Sequence, residues 1–422
     1  MHRSDSASTP PGAGGRPPAP GRPGALFRRP RRATRSELSQ LVCAVVGFGL
    51  GLAVPEVKSG PQIDAGRVSS LLFSVGFGVV SLVSIIYSVL FLVVQFSASA
   101  FSPRLGLFRD DPIVWRTFAF AIGVFVFAMT AGLSIGAEQE VSVFLPCVAV
   151  LLALVALALM RTLQTRAFAS IQLAPALGAV TARAHHLFDA LYTQPYTGFA
   201  TGREPDAGAA VTLRWTRRAA VLQQIDVPTL VAAAKEHGCV VTLRPHIGGT
   251  LVRGMALADV RGGELPEQAL HRTLVTGEER SLAQDPEFAF RLLADIALKA
   301  LSPAVNDPAT AAQALDHTED LLIRIADRDL DVGRIADDGG TVRVVVPVPG
   351  WERFIALSVD DVTVAALASP MVLLRLRTLL RRLLEACPAS RRPLVGDRLR
   401  WVEQVGAEDY PLHWEPYADE TP

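Results

Sequence analysis

Residues 68–100 read VSSLLFSVGFGVVSLVSIIYSVLFLVVQFSASA, with no Asp, Glu, Lys, Arg or His anywhere in the run. A helix rises about 1.5 Å per residue and the hydrocarbon of a bilayer is roughly 30 Å thick, so this stretch exceeds one crossing. It must tilt strongly or project from the bilayer at its C-terminal end. Its polar side chains are not scattered. Ser70, Ser74, Gly78, Ser81, Ser84 and Ser88 recur every three or four residues, and Gln95, Ser99 and Ser102 extend the line after an apolar gap at Phe91 and Leu92. On a helix these positions fall on one stripe. Two readings stay open. Small residues let helix backbones approach, with hydroxyls bonding across or back to their own helix. The same stripe can line a neutral, wet path in an oligomer.

Three further runs share the composition: residues 38–54, 117–136 and 141–160. Each is long enough to span, which predicts four transmembrane helices. The first has no small-residue cleavage site and three spans follow it, so it reads as a retained helix. None of the four contains a charge, which counts against proton-coupled carriers that need intramembrane carboxylates or bases. Gly47–Gly51 and Gly132–Gly136 match GxxxG and suit helix contacts. The second, GLSIG, also matches a hydrolase nucleophile elbow. That motif needs a strand before its serine, and Ser134 ends an apolar helix instead. Arg104, Arg109 and Arg116 lie between runs two and three, and Arg161 and Arg166 follow run four. The AEQE turn between runs three and four has no basic residue. The positive-inside rule then predicts both termini on the cytoplasmic side.

The whole chain has 41 basic and 41 acidic residues, so net charge makes no case for nucleic acid. Residues 1–35 are a Pro/Gly-rich tail too poor in apolar surface to fold, and Arg28, Arg29, Arg31, Arg32 and Arg35 suit anionic head groups beside the first span. Cys43, Cys147, Cys239 and Cys387 have neither metal nor redox spacing.

The predicted organisation is a tail (1–35), four transmembrane helices (36–165), linker helices and loop (166–210), a small β-containing module (211–262), a mainly helical cytoplasmic domain (263–405) and an acidic tail (406–422). The fold class is an α-helical membrane protein with a cytoplasmic α+β domain containing a β-barrel-like module and a helical hairpin. His185, His186 and Asp189 cluster without a second ligand set, so they read as surface polar residues and no metal site is expected. Strand character at 211–225, 240–243 and 251–260 surrounds a short helix stopped by Gly238, and Gly248–Gly249 predicts a barrel-like hairpin. No exposed Lys follows to carry a lipoyl or biotinyl group. The helix at residues 371–387 is basic and amphipathic, fit for anionic lipid, a neighbouring subunit or solvent.

Residues 292–322, LLADIALKALSPAVNDPATAAQALDHTEDLL, predict two helices on a stiff spacer. Asp285 precedes Pro286 and Asp307 precedes Pro308, each pair a cap followed by a residue suited to the first helical turn. Asp111–Pro112 repeats the device. Ser302 before Pro303 is pushed out of helical geometry and ends the first helix. Asn306 and Asp307 either complete a rigid structural elbow or line a ligand site. Glu287, Arg291, Asp295 and Lys299 stand four apart as an alternating-charge face.

LVVQFSASAFSPRL after the second run and DPEFAFRLLADIALKALSPAVNDPATAAQALD resemble a bacterial predicted membrane protein family known as domain of unknown function 2254. The likeness covers about residues 36–410, and the Ser-Pro-Ala-Val-Asn-Asp-Pro elbow is its most specific motif. It implies a multi-pass protein of the bacterial inner membrane and supplies no reaction or substrate. The expected function is an oligomeric channel or transport-like protein with a cytoplasmic regulatory domain, or a membrane-anchored sensor or scaffold that binds a partner. The expected partners are the lipid bilayer and further copies of the chain, with no nucleic acid. No phosphate loop, dinucleotide motif, HExxH or usable nucleophile elbow is present, so no enzyme, catalytic residue or cofactor is expected.

Overall fold

The computed structural model describes residues 33–57, 60–100, 112–135, 138–197 and 209–414. The expectations for the tail before residue 33, for Arg104, Arg109 and Asp111, and for Ser102 lie outside the described residues.

The four apolar runs form helices α1 (Ala33–Ala53), α2 (Ala65–Ala100), α3 (Pro112–Ser134) and α4 (Phe144–Ile171). Each contains a window long and apolar enough to cross a membrane. The 36 residues of α2 amount to roughly 54 Å at 1.5 Å per residue, and its spanning window stops at Leu92. Three of the four GxxxG glycines serve helix contact, and Gly136 lies outside the described residues. A Cβ on Gly47 would overlap the carbonyl of Gly123 in α3, Gly51 abuts Thr130, and Gly132 abuts the ring of Phe73. The Ser134 hydroxyl donates to the carbonyls of Ala131 at 3.0 Å and Gly51 at 3.5 Å.

Strands β1 (Gln62–Asp64) and β2 (Glu140–Ser142) pair antiparallel. They tie the α1–α2 connection to the α3–α4 connection at one end of the bundle. Asp64 also accepts from the amide of Arg67 at 2.9 Å, which caps α2. The C-terminal ends of α2 and α4 and the start of α3 therefore share the opposite end.

From there Gln172, in an extended conformation, leads into α5 (Leu173–Leu191). This helix is integral to the C-terminal core: Leu177, Val180, Leu187 and Phe188 pack with α8 (Pro286–Ala300), α9 (Pro308–Ala326), α12 (Pro370–Ala386) and α13 (Arg392–Asp409). A bent helical segment, α10 (Trp351–Ile355) and α11 (Asp361–Ala365) joined by a π turn, completes the layer. Thr181 bonds His317 at 2.8 Å, His185 bonds Asp320 at 2.7 Å, and Arg324 donates to both oxygens of Asp189 at 2.6 Å. Equal steps along α5 meet equal steps along α9, so the two helices run parallel and Pro308 is level with Leu173. The α8–α9 elbow thus lies at the end of the layer next to α4. Asp285 starts α8 at the far end, about 22 Å away at 1.5 Å per residue.

The sheet module corrects the barrel expectation. Strands β3 (Ala210–Arg214), β4 (Ala220–Ile225), β5 (Val240–Leu243), β6 (Thr250–Leu251), β7 (Ala256–Arg261), β8 (Leu274–Gly277), β9 (Arg334–Ala336) and β10 (Val342–Val345) form two open sheets. Their orders are β3-β7-β5-β10-β9 and β6-β4-β8, with no closed barrel among the described residues. Gly248, at φ +87°, turns the chain out of one sheet and into the other rather than closing a hairpin. Helix α6 (Val227–Glu236), capped by Asp226 and followed by Gly238 at φ +62°, fills the crossover to β5. Helix α7 (Glu267–Thr273) leads into β8. Strands drawn from well beyond residue 262 complete both sheets around Leu222, Ile225, Val241, Leu257 and Val344.

Two charge readings also change. Glu287 is buried and meets Arg353 instead of joining the solvent-facing ladder, of which the Arg291–Asp295 pair, at 2.9 Å, forms. The arginines of α12 turn inward or onto neighbours. Arg375 bonds Asp316 and Glu319, Arg382 bonds Glu319, Arg381 bonds Glu403, and Arg377 stacks on Trp414 at 4.5 Å.

Candidate functional site

The two open sheets and the helical layer meet around a cavity of about 60 Å³, lined by residues from six separate segments, one of them Val332, Gly333 and Ile335 at the start of β9. Ile225 and Val227 come from the end of β4 and start of α6, His246 and Ile247 from the glycine turn, and Val346 to Pro349 from the exit of β10. Gln284 to Glu287 contribute the start of α8, and Leu191 with Tyr192 the end of α5. Each is placed by local chemistry. The Pro-rich exit of β10 cannot continue the ladder. Gln284, 2% exposed, accepts from the Ile225 amide at 2.9 Å and donates to its carbonyl at 3.3 Å. That paired amide pins the loop before α8 to β4.

The polar wall is a closed network. Asp285 is 1% exposed and accepts two bonds from Arg280, at 2.7 and 2.8 Å, while also accepting from the Phe288 amide at 3.2 Å as the α8 cap. Glu287 accepts from Arg353 at 3.2 Å, and Arg280 lies 3.8 Å from its other oxygen. Two carboxylates thus meet two guanidinium groups. Burial pushes the Asp285 carboxyl up, against the opposing pull of Arg280. A Cβ on Gly248 would overlap Asp285 and crowd Arg280. The glycine is therefore required both for its positive φ and for the room this ion pair needs.

Tyr192 caps the C-terminal end of α5, its amide donating to Phe188 at 2.7 Å. Its ring packs against Phe188 and Phe354. Its enclosed hydroxyl has no hydrogen-bond partner among the described residues, and burial, reinforced by Glu287 and Asp285, holds its pKa far above the ordinary phenol. It stays a neutral donor. With its carboxylates paired to arginines, the cavity wall is otherwise mainly apolar, interrupted by His246 and the Tyr192 hydroxyl.

The sequence-derived site residues divide. Asp285 and Pro286 enter the cavity wall. Ser302, Pro303, Asn306, Asp307 and Pro308 build the turn at the opposite end of α8. There Ser302 donates to the Lys299 carbonyl at 2.7 Å, Asn306 adopts φ +49°, and Asp307 accepts from Thr310 at 3.1 Å from its amide and 2.6 Å from its hydroxyl. Ser70, Ser74, Gly78, Ser81, Ser84, Ser88 and Gln95 are all exposed, on the face of α2 turned away from α3 and α4. Ser74 and Ser88 bond back to the carbonyls of Ser70 and Ser84. The side chain of Ser99 lies outside the described residues. Tyr192, His246, Gln284 and the β10 exit were not singled out by sequence. Nothing local in the sequence marks Tyr192.

The chain belongs to the predicted membrane protein family DUF2254, whose model matches residues 38–382. Uncharacterized proteins of Mycobacterium bovis and of Mycobacterium tuberculosis H37Rv are each 29% identical to it over 394 residues, covering 86% of this chain and 74% of theirs. No solved structure matches it.

Proposed function

We propose that this member of the predicted membrane protein family is a membrane-anchored sensor. In this reading α1–α4 cross the bacterial cytoplasmic membrane with both termini inside, and the soluble domain binds a small, largely apolar ligand in the cytoplasm. The observation that carries it is the position of Tyr192. It forms cavity wall at one end of α5, and the other end of α5 follows directly from the fourth candidate span. Helix α8 runs alongside, from the cavity at Asp285 to the elbow beside α4. Occupancy can thus bias the membrane end of two packed helices, provided the ligand favours one arrangement over the other. The mutual pairing of Arg280, Asp285, Glu287 and Arg353 favours a binding over a catalytic role.

The test is small-molecule extraction from the purified full-length protein, followed by mass spectrometry, for wild type and Val346→Phe. A compound retained by wild type and lost when Phe fills the cavity supports the reading. If wild type retains no compound, and cell extract leaves its melting temperature unchanged, the sensor reading fails.

A second reading is favoured by one observation, the exposure of the α2 stripe from Ser70 to Gln95. A homo-oligomer that gathers these faces would enclose a neutral path through the bilayer. Charged thiol reagents applied to cysteines at Ser74, Ser81, Ser84 and Ser88, with the inward-facing Val83 and Leu90 as controls, distinguish the two. Modification at depth on the stripe alone supports the path, and no modification at depth removes it.

A further inference from the structure

The β module carries a cationic tip that neither the cavity nor the α2 stripe uses. The loop after β3 and the turn between β6 and β7 lie side by side. The Gly254 amide donates to the Trp215 carbonyl at 2.8 Å, and the Trp215 amide to the Met255 carbonyl at 2.9 Å. Arg214 donates to the Gly254 carbonyl at 2.7 Å, locking the second loop to the first. Trp215 is buried, its indole donating to the Arg218 carbonyl at 2.9 Å, so the loop is anchored from beneath. Four arginines, Arg214, Arg217, Arg218 and Arg253, are exposed on this tip. Between them Val252 is 54% and Met255 38% exposed. Glu267, the acid on its flank, accepts from the Thr216 hydroxyl at 2.9 Å and lies 3.0 Å from His271.

We propose that this tip docks on an anionic lipid surface, its guanidinium groups on head-group phosphates and Val252 and Met255 at the edge of the acyl region. Guanidinium matches phosphate in a two-pronged geometry. Apolar side chains set among cations characterise segments that lie in the bilayer interface. Among the described residues the tip offers no exposed aromatic ring for a base to stack on, which counts against single-stranded nucleic acid. The proposal rests on the reading that α1–α4 cross a bilayer, which retention of the protein after alkaline carbonate extraction tests separately.

The experiment uses the full-length protein with Val252→Cys carrying an environment-sensitive NBD label. Cys43 and Cys147 are replaced by alanine, and the buried Cys239 and Cys387 are left in place. It is reconstituted into phosphatidylcholine vesicles and, separately, into phosphatidylglycerol-containing vesicles. The expected result is blue-shifted emission and reduced iodide quenching with phosphatidylglycerol only. Both effects should fade as salt rises from about 0.1 to 1 M, because the screening length contracts from roughly 10 to 3 Å. They should also be lost in Arg217→Ala/Arg218→Ala/Arg253→Ala at an unchanged melting temperature. Equal emission in the two vesicle types overturns the proposal. A shift produced in phosphatidylcholine vesicles by added polyglutamate or RNA, and not by phosphatidylglycerol, overturns it in favour of an acidic macromolecule. Loss of the protein on carbonate extraction with the NBD shift intact would fault the spanning helices and leave the lipid-binding tip standing.

Discussion

Replacing Asp285 with alanine removes three things at once: the α8 cap, the buried partner of Arg280 and one wall of the cavity. Loss of the cap costs about 1 kcal/mol. Breaking a fully buried ion pair costs about 3–5 kcal/mol. Arg280, however, is 23% exposed, and Glu287 stands 3.8 Å from it. The stranded guanidinium is therefore partly solvated and partly paired, and the pair contribution falls below that range. The expected total is about 3 kcal/mol, or roughly 6–12 °C in melting temperature for a unit of some 200 residues. Arg280→Met should cost a similar amount at neutral pH but behave differently in acid. Burial already raises the Asp285 carboxyl, with Arg280 opposing, and removing Arg280 raises it further. The folded state then holds the proton more tightly than the unfolded chain. The stability linked to this group is present below its unfolded pKa of about 3.9 and declines as pH rises through the raised folded value. The Arg280→Met penalty should accordingly shrink toward acid and grow toward neutrality. The assay is thermal unfolding of the full-length protein in detergent, followed by tryptophan fluorescence across pH, for both single variants and the double. Because the groups share two hydrogen bonds, the double variant should cost less than the sum of the singles by at least ~1 kcal/mol. Strict additivity, or singles within about 0.5 kcal/mol of wild type, would refute the reasoning.

Three other outcomes follow from the same structure. Arg391, 6% exposed, donates to the carbonyls of Ile325, Ala326 and Arg328 at the end of α9 and stacks over Tyr196 at 4.1 Å. Arg391→Met strands those acceptors and should lower stability by about 3 kcal/mol, read as a melting shift. Asp307 is held below its ordinary pKa by the Thr310 hydroxyl and amide. Its contribution is therefore present above about pH 3.9 and lost as pH falls through the lower folded value. Asp307→Ala should melt earlier at neutral pH, with the gap to wild type closing in strong acid. A Cβ on Gly406 would overlap the ring of Trp414, which otherwise stacks beneath Arg377 and donates to Glu403 at 2.8 Å. Gly406→Ala should red-shift the Trp414 emission and cost about 1–3 kcal/mol, as overpacking does.

Features that depend on chain neighbours were legible from sequence alone. The four apolar runs announce spanning-class helices because length and lack of charge are local properties. Asp285–Pro286 and Asp307–Pro308 mark helix starts because a cap and its amide lie within three residues. The small glycines of α1 and α3 mark helix contacts for a similar reason, since only the missing Cβ matters. Tertiary structure decided the rest. Gly248–Gly249 looks like a hairpin locally, yet its flanking strands join different sheets, because β4, β8 and β10 compete for them from far along the chain. Glu287 looks solvated by its four-residue spacing, yet Arg353 arrives from a distant helix and allows it to be buried. The arginines of α12 look free until α9 and α13 bring Glu319 and Glu403 alongside. Periodicity defines the α2 stripe but not its direction, and packing turns it outward. The cavity has no local signature at all: it exists where six segments fail to fill the seam between sheet and helix, and such a gap is a property of the folded whole.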